Sequence, residues 1–179
     1  MTARLAAVLV AVLAGLAAGC GGDDSNATQD WAGDVCSELN TWVESIQTTV
    51  NGLTDKGLSL QKSDVQAAVD DAQSATNDLT SGLKELGAPP DDSGAQQAKS
   101  ELDQFADEIQ KQADDVQQAV TTESSVLQLT QTVAAAVSAS AAAAQSTYDA
   151  LQSAGGELKS AFEDADSCKD TRDTINSLG

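Results

Sequence analysis

Residues 30–53 read DWAGDVCSELNTWVESIQTTVNGL, and this stretch decides the fold class. Trp31, Val35, Leu39, Trp42, Ile46, Val50 and Leu53 recur at steps of 4, 4, 3, 4, 4 and 3. That spacing paints one face of an α-helix and has none of the alternation of a strand. Both tryptophans of the chain lie on this face, and Cys36 lies within it. The two rings stand 11 residues apart on one apolar face, a position for core packing more than for stacking on a sugar or peptide.

The pattern repeats toward the C-terminus. Gly52, Gly57 and the polar residues around Asp55 predict a loop, and Ser63 with Gln66 has the spacing of a capping box. Val65, Val69, Ala72, Thr76, Leu79, Leu83 and Leu86 form a second stripe. Gly87-Ala88-Pro89-Pro90 stops it, Gly87 offering a left-handed cap and proline refusing continuation. Asp91, Asp92 or Ser93 can cap a third helix, whose stripe is Ala98, Leu102, Phe105, Ile109, Val116 and Val120. Thr121 to Ser125 is a polar interruption without Gly or Pro. The fourth stripe is Val126, Leu129, Val133, Val137, Ala144, Tyr148 and Leu151, and its Ala- and Ser-rich middle, Ala134 to Ala144, offers a thin layer for close packing. Tyr148 reads as a core residue with its hydroxyl at the edge. No strand-like alternation of useful length occurs.

Toward the N-terminus the character changes. Met1 to Arg4 is a short basic start, and Leu5 to Ala18 is an apolar run of 14 residues. A spanning helix needs about 20, so the run suits the core of a secretory signal. It ends in Leu16-Ala17-Ala18-Gly19-Cys20. This ending resembles the lipobox of bacterial lipoproteins, with leucine one place earlier than in the commonest pattern. The resemblance implies cleavage before Cys20, diacylglycerol on its thiol, and an extracytoplasmic protein held to the cell membrane by lipid. Each buried methylene contributes about 0.8 kcal/mol, so two chains anchor stably without a basic patch. Gly21 to Asn26 is small and polar and reads as a flexible tether. The expected organisation is therefore a signal peptide over residues 1–19, the lipidated Cys20 with its tether over 20–29, and a helical domain over 30–179.

Export would place Cys36 and Cys168 in a disulfide-permissive compartment, and with Cys20 lipidated only one pairing remains. Two free thiols or a redox pair are the alternatives, although the close Cys-x-x-Cys of redox proteins is missing. The pairing constrains the layout. At about 1.5 Å per residue, Cys36 lies roughly 26 Å below the end of the first helix at Leu53. A last helix running straight from Ser125 would carry Cys168 roughly 65 Å down, out of reach. A reversal at Gly155-Gly156 gives roughly 44 Å down and 17 Å back, which brings the sulfurs level. The prediction is an all-α antiparallel four-helix bundle with a short fifth C-terminal helix from about Glu157 to Cys168. That helix packs Leu158, Phe162 and Ala165 near the first, and one disulfide closes the fold. The rival is a continuous helix through Gly155-Gly156, forming a long coiled coil.

Composition sets the limits on chemistry. Of 179 residues, the 160 from Cys20 onward hold 8 Lys and Arg against 28 Asp and Glu, a formal charge of 8 − 28 = −20, and the chain has no His. That balance argues against nucleic acid or anionic headgroups as partners. The lack of His removes imidazole catalysis and His-ligated metals, di-iron bundles included. Leu, Val, Ile and Phe make up only 28 of those 160 residues, below the roughly 20% at which a charged chain is suspected of disorder. The chain therefore depends on the spacing of its few large apolar residues. The acids at Asp70-Asp71, Asp114-Asp115 and Glu163-Asp164 read as solvated faces. The densest group, Glu163, Asp164, Asp166, Asp170 and Asp173, lacks the alternating ligands and central Gly of a calcium loop. No nucleophile elbow or phosphate-binding loop occurs.

No catalytic, cofactor or metal residue is therefore assigned; the sites expected are Cys20 for lipid and Cys36 with Cys168 for the disulfide. Beyond the lipobox the chain resembles small helical envelope lipoproteins of high-GC Gram-positive bacteria, a likeness that implies no activity. The expected role is a non-enzymatic module contacting an envelope protein or the cell wall. The alternative is a carrier or sensor for a small apolar ligand between helices. An exposed apolar patch without an interior pocket would favour the first. A cavity of several hundred Å³ lined by Val, Leu and Tyr148 would favour the second.

Overall fold

The computed structural model describes residues 24–90, 94–122 and 125–178. Its helices are α1 (Asp24–Lys56), α2 (Lys62–Leu86), α3 (Ala95–Thr122), α4 (Val126–Ser153), α5 (Leu158–Asp164) and α6 (Thr171–Asn176), with 3-10 turns at Gly57–Ser59 and Asp166–Cys168. No strand occurs among the described residues. Cys20, the expected signal segment, and the capping candidates Asp91, Asp92 and Ser93 lie outside them.

The stripe of residues 30–53 is realised in α1, which starts six residues before Asp30. Asp24–Gln29, assigned to the tether on composition, is helical. Thr28 supplies the reason. It sits one turn before Trp31 on the same face, is fully buried, and its hydroxyl lies 3.5 Å from the carbonyl of Pro90. Being polar, it does not count in a stripe of apolar residues, yet it extends that stripe by a turn.

The start of α2 differs from expectation as well. The helix begins at Lys62, and the Asp64 carboxylate accepts the backbone N–H of Gln61 at 2.9 Å, so Ser63 and Gln66 do not form the box. At its other end Gly87 has φ 67° and ψ −150°. The positive φ matches the expected cap, but the ψ places it outside the left-handed helical region, in a conformation nearly restricted to glycine.

Successive helices pack on one another, α1 on α2, α2 on α3 and α3 on α4, and α2 also meets α4. The chain after α4 folds back. Gly155 and Gly156 adopt φ of 92° and 62°, a conformation that a Cβ disfavours, so α4 does not continue through them. Leu158, Phe162 and Ala165 are buried as predicted, and the returning segment packs on both α1 and α4. The single fifth helix expected to reach Cys168 is instead three pieces. Ala165 is extended at ψ 124°, which ends α5; the 3-10 turn carries Cys168, and α6 follows. Within α6 only Thr171 and Ile175 are buried, too sparse a pattern to read in a run of charged residues.

The core falls into two clusters. The larger gathers α1 residues from Trp31 to Ile46 with Leu79, Phe105, Tyr148, Phe162 and Ile175. The smaller comprises Val65, Val69, Val116, Val120 and Leu129. By length and composition α4 is apolar enough to cross a membrane, but that apolarity is mostly alanine. Leu129, Ala144, Tyr148 and Leu151 on α4 are buried within the protein.

Candidate functional site

Four places bear on function: the sulfur pair, the aromatic cluster beside it, a cavity between the long helices, and two exposed leucines. Cys36 on α1 and Cys168 in the second 3-10 turn are bonded, with Sγ atoms 2.00 Å and Cα atoms 5.1 Å apart. Both are fully buried. The turn is also tied to α1 by hydrogen bonds, Asn40 Nδ2 donating to the Ser167 carbonyl at 2.8 Å and Ser167 Oγ to the Gly33 carbonyl at 2.7 Å. This is structural stitching sealed from solvent.

The aromatic side chains are core residues. Trp31 meets Phe162 edge-on at 6.1 Å, and Trp42 meets Phe105 edge-on at 6.2 Å. Each indole N–H finds an acceptor at 3.3 Å, the Gly87 carbonyl for Trp31 and Thr76 Oγ1 for Trp42. Tyr148 is more deeply placed than expected. Its hydroxyl is not at an edge but donates to the Cys168 carbonyl at 3.1 Å, in a buried bond. Burial holds its pKa above the ordinary phenol value, opposed by the nearby Arg172 guanidinium, which stacks 5.9 Å from the ring centroid. A neutral, hydrogen-bonded phenol locks the turn and is not poised as a base.

The C-terminal acids are spread over solvent. Lys159 lies 3.8 Å from Glu163, and Lys169 pairs with Asp166, holding that carboxyl below its usual range. Among the described residues no three Asp, Glu or Cys side chains converge as a cation site would require.

The cavity measures about 70 Å³ and is walled by α1, α2, α3 and α4, with Trp42, Val50, Val69, Ala72, Val116 and Val137 among its lining. It lies where the two core clusters fail to close on each other, since its walls come from both. It is smaller than several hundred Å³, and neither leucine nor Tyr148 lines it. Composition hints at it only indirectly, through the alanines and valines that make thin walls.

Two large apolar side chains stand in solvent, Leu58 completely and Leu127 by 68%. Leu58 belongs to the turn after α1 and Leu127 to the first turn of α4. Their neighbours Leu60 and Val126 pack against the same smaller cluster, so both leucines emerge at that end of the protein. Sequence periodicity passed over them because neither lies on a stripe. Comparison with protein-family models, with curated proteins and with solved structures finds no match to this chain.

Proposed function

We propose that this chain is a lipid-anchored extracytoplasmic module without enzymatic activity, held to the membrane through Cys20 and docking an envelope protein at its leucine-bearing end. The observation that carries the reading is the pair of exposed leucines at the far end of α1. That helix has 33 residues, which at 1.5 Å each makes about 50 Å. Its first residue follows Cys20 by only four positions, so an anchored protein would hold Leu58 well away from the lipid. An exposed leucine pair is costly to leave in water and gains by burial against a partner.

The same reading includes the antiparallel four-helix arrangement. It is supported by contacts whose order reverses between consecutive helices: Trp31 to Gly87 and Lys56 to Asp64 between α1 and α2, and Gln73 to Asp114 beside Asp70 to Gln117 between α2 and α3. Such an arrangement sets the turn after α1 beside the start of α4, where both leucines are. A second reading, the carrier for a small apolar ligand, rests on the apolar cavity, which is smaller than that reading expected and lined by neither leucine nor Tyr148.

The docking role is tested by photo-crosslinking in intact cells, with the reactive residue at position 58, at 127, or at the control position 139 on the exposed face of α4. The expected result is a discrete adduct from 58 and 127, none from 139, and loss of both adducts together with membrane attachment in Cys20→Ala. Equal labelling at all three positions would overturn the docking role, and a Cys20→Ala protein that stays in the membrane fraction would overturn the anchor.

A further inference from the structure

We infer that the cavity between the four long helices takes the end of a straight alkyl chain, whose parent molecule carries a neutral or cationic, hydrogen-bond-donating head at the rim. This gives the carrier reading a site and a ligand class, and it does not depend on the leucine end. The walls are apolar on all four sides: Trp42 and Val50 from α1, Val69 and Ala72 from α2, Val116 from α3, Val137 from α4. Size selects the shape of the guest. An apolar cavity of about 150 Å³ admits benzene, and roughly 10–15 Å³ admits one water. At about 70 Å³ the space suits a chain of roughly four carbons and is too small for a ring.

The rim chooses the head. Gln73, Gln112 and Ser140 also line the cavity, and Ser140 Oγ donates to Gln112 Oε1 at 2.6 Å. Gln73 Nε2 donates to an Asp114 oxygen at 3.1 Å. A carboxylate only accepts, so the Gln73 amide cannot be turned round. Its Oε1 is thereby directed away from Asp114, buried and without a protein donor. A buried acceptor left over in the wall favours a head that donates, such as a hydroxyl or an ammonium. The nearby Asp114 carboxylate, in a chain of net charge −19, disfavours an anionic head.

Trp42 is a built-in reporter, made the sole indole by Trp31→Phe. The probes are 1-propanol to 1-octanol, cyclohexanol, octylammonium and octyl sulfate, each below its micelle concentration. The expected result is a saturable change in Trp42 emission whose affinity climbs with chain length up to about four carbons beyond the head and then levels. Octylammonium binds at least as well as 1-octanol, whereas cyclohexanol and octyl sulfate bind at least tenfold more weakly. Filling the space with Ala72→Leu, or separately with Ala136→Leu, weakens 1-octanol at least tenfold while raising or keeping Tm. Non-saturating responses, equal response to the ring, or unchanged affinity in a folded filled variant each overturn the inference. Should neither filled variant fold, the chain-length ladder and the ring control still decide it. An absence of alkanol binding leaves the crosslinks at positions 58 and 127 unaffected, so the two proposals fail separately.

Discussion

Asp64 shows how a single side chain sets an element boundary that spacing alone misplaces. Ser63 and Gln66 satisfy the letter of a capping box, but Asp64 is charged and short enough to reach the Gln61 N–H, and Lys56 lies 3.2 Å from it. A carboxylate makes the stronger bond, so the helix starts earlier. The Gln61 N–H, and then Lys56, hold its pKa below the ordinary 3.8. A carboxyl whose folded pKa is depressed stabilises the fold above its unfolded value and loses that contribution as pH falls through the folded one. Asp64→Ala is therefore expected to lower Tm at neutral pH, with the gap from wild type shrinking below pH 3.8 and vanishing at lower pH. Paired thermal melts across that range check it; a gap that persists unchanged in acid would show that the cap does not act through the ionised carboxylate. Tyr148 teaches the same lesson from the other side. Its place on a stripe marks it as core, but which carbonyl receives its hydroxyl depends on a turn 20 residues away.

At the scale of elements, the reversal after α4 was legible because a length argument demanded it. Two levels on the bundle had to match if Cys36 and Cys168 were to meet, and Gly155-Gly156 was the place where the chain could turn. What spacing could not supply was the break at Ala165 and the existence of α6. A six-residue helix with two buried side chains draws its stability from the α1 and α4 surfaces it covers, and has almost no periodic signal of its own. Glycine substitutions separate these effects. Gly155→Ala and Gly156→Ala are each expected to destabilise by about 1–2 kcal/mol, because a Cβ disfavours positive φ. Gly52→Ala is expected to stabilise by up to about 1 kcal/mol, because Gly52 is helical and an added Cβ would meet nothing within 4 Å. Urea midpoints measure all three; similar signs at 52 and 155 would mean that the reversal is not built on backbone conformation.

For the molecule as a whole, the disulfide joins positions 132 residues apart and holds the C-terminal segment between α1 and α4. Replacing both cysteines, Cys36→Ser with Cys168→Ser, is expected to cost about 2–4 kcal/mol. Amide exchange should accelerate first in α5 and α6, whose hold on α1 the bond secures. A variant with wild-type midpoint and exchange pattern would show that packing alone holds the segment. The sequence by itself determined that the chain is helical, where α2, α3 and α4 end, and most of the large apolar residues of the core, Val43 and Ile175 excepted. These follow from local spacing and from the backbone preferences of Gly and Pro, properties carried by neighbours along the chain. Only the tertiary structure decided that Asp24–Gln29 is helical, that a sixth helix forms, that the core divides, and that a cavity remains between its parts. Those outcomes depend on how side-chain volumes from distant segments meet, and a shortfall of a few methyl groups among four helices leaves no trace in the spacing of any one of them.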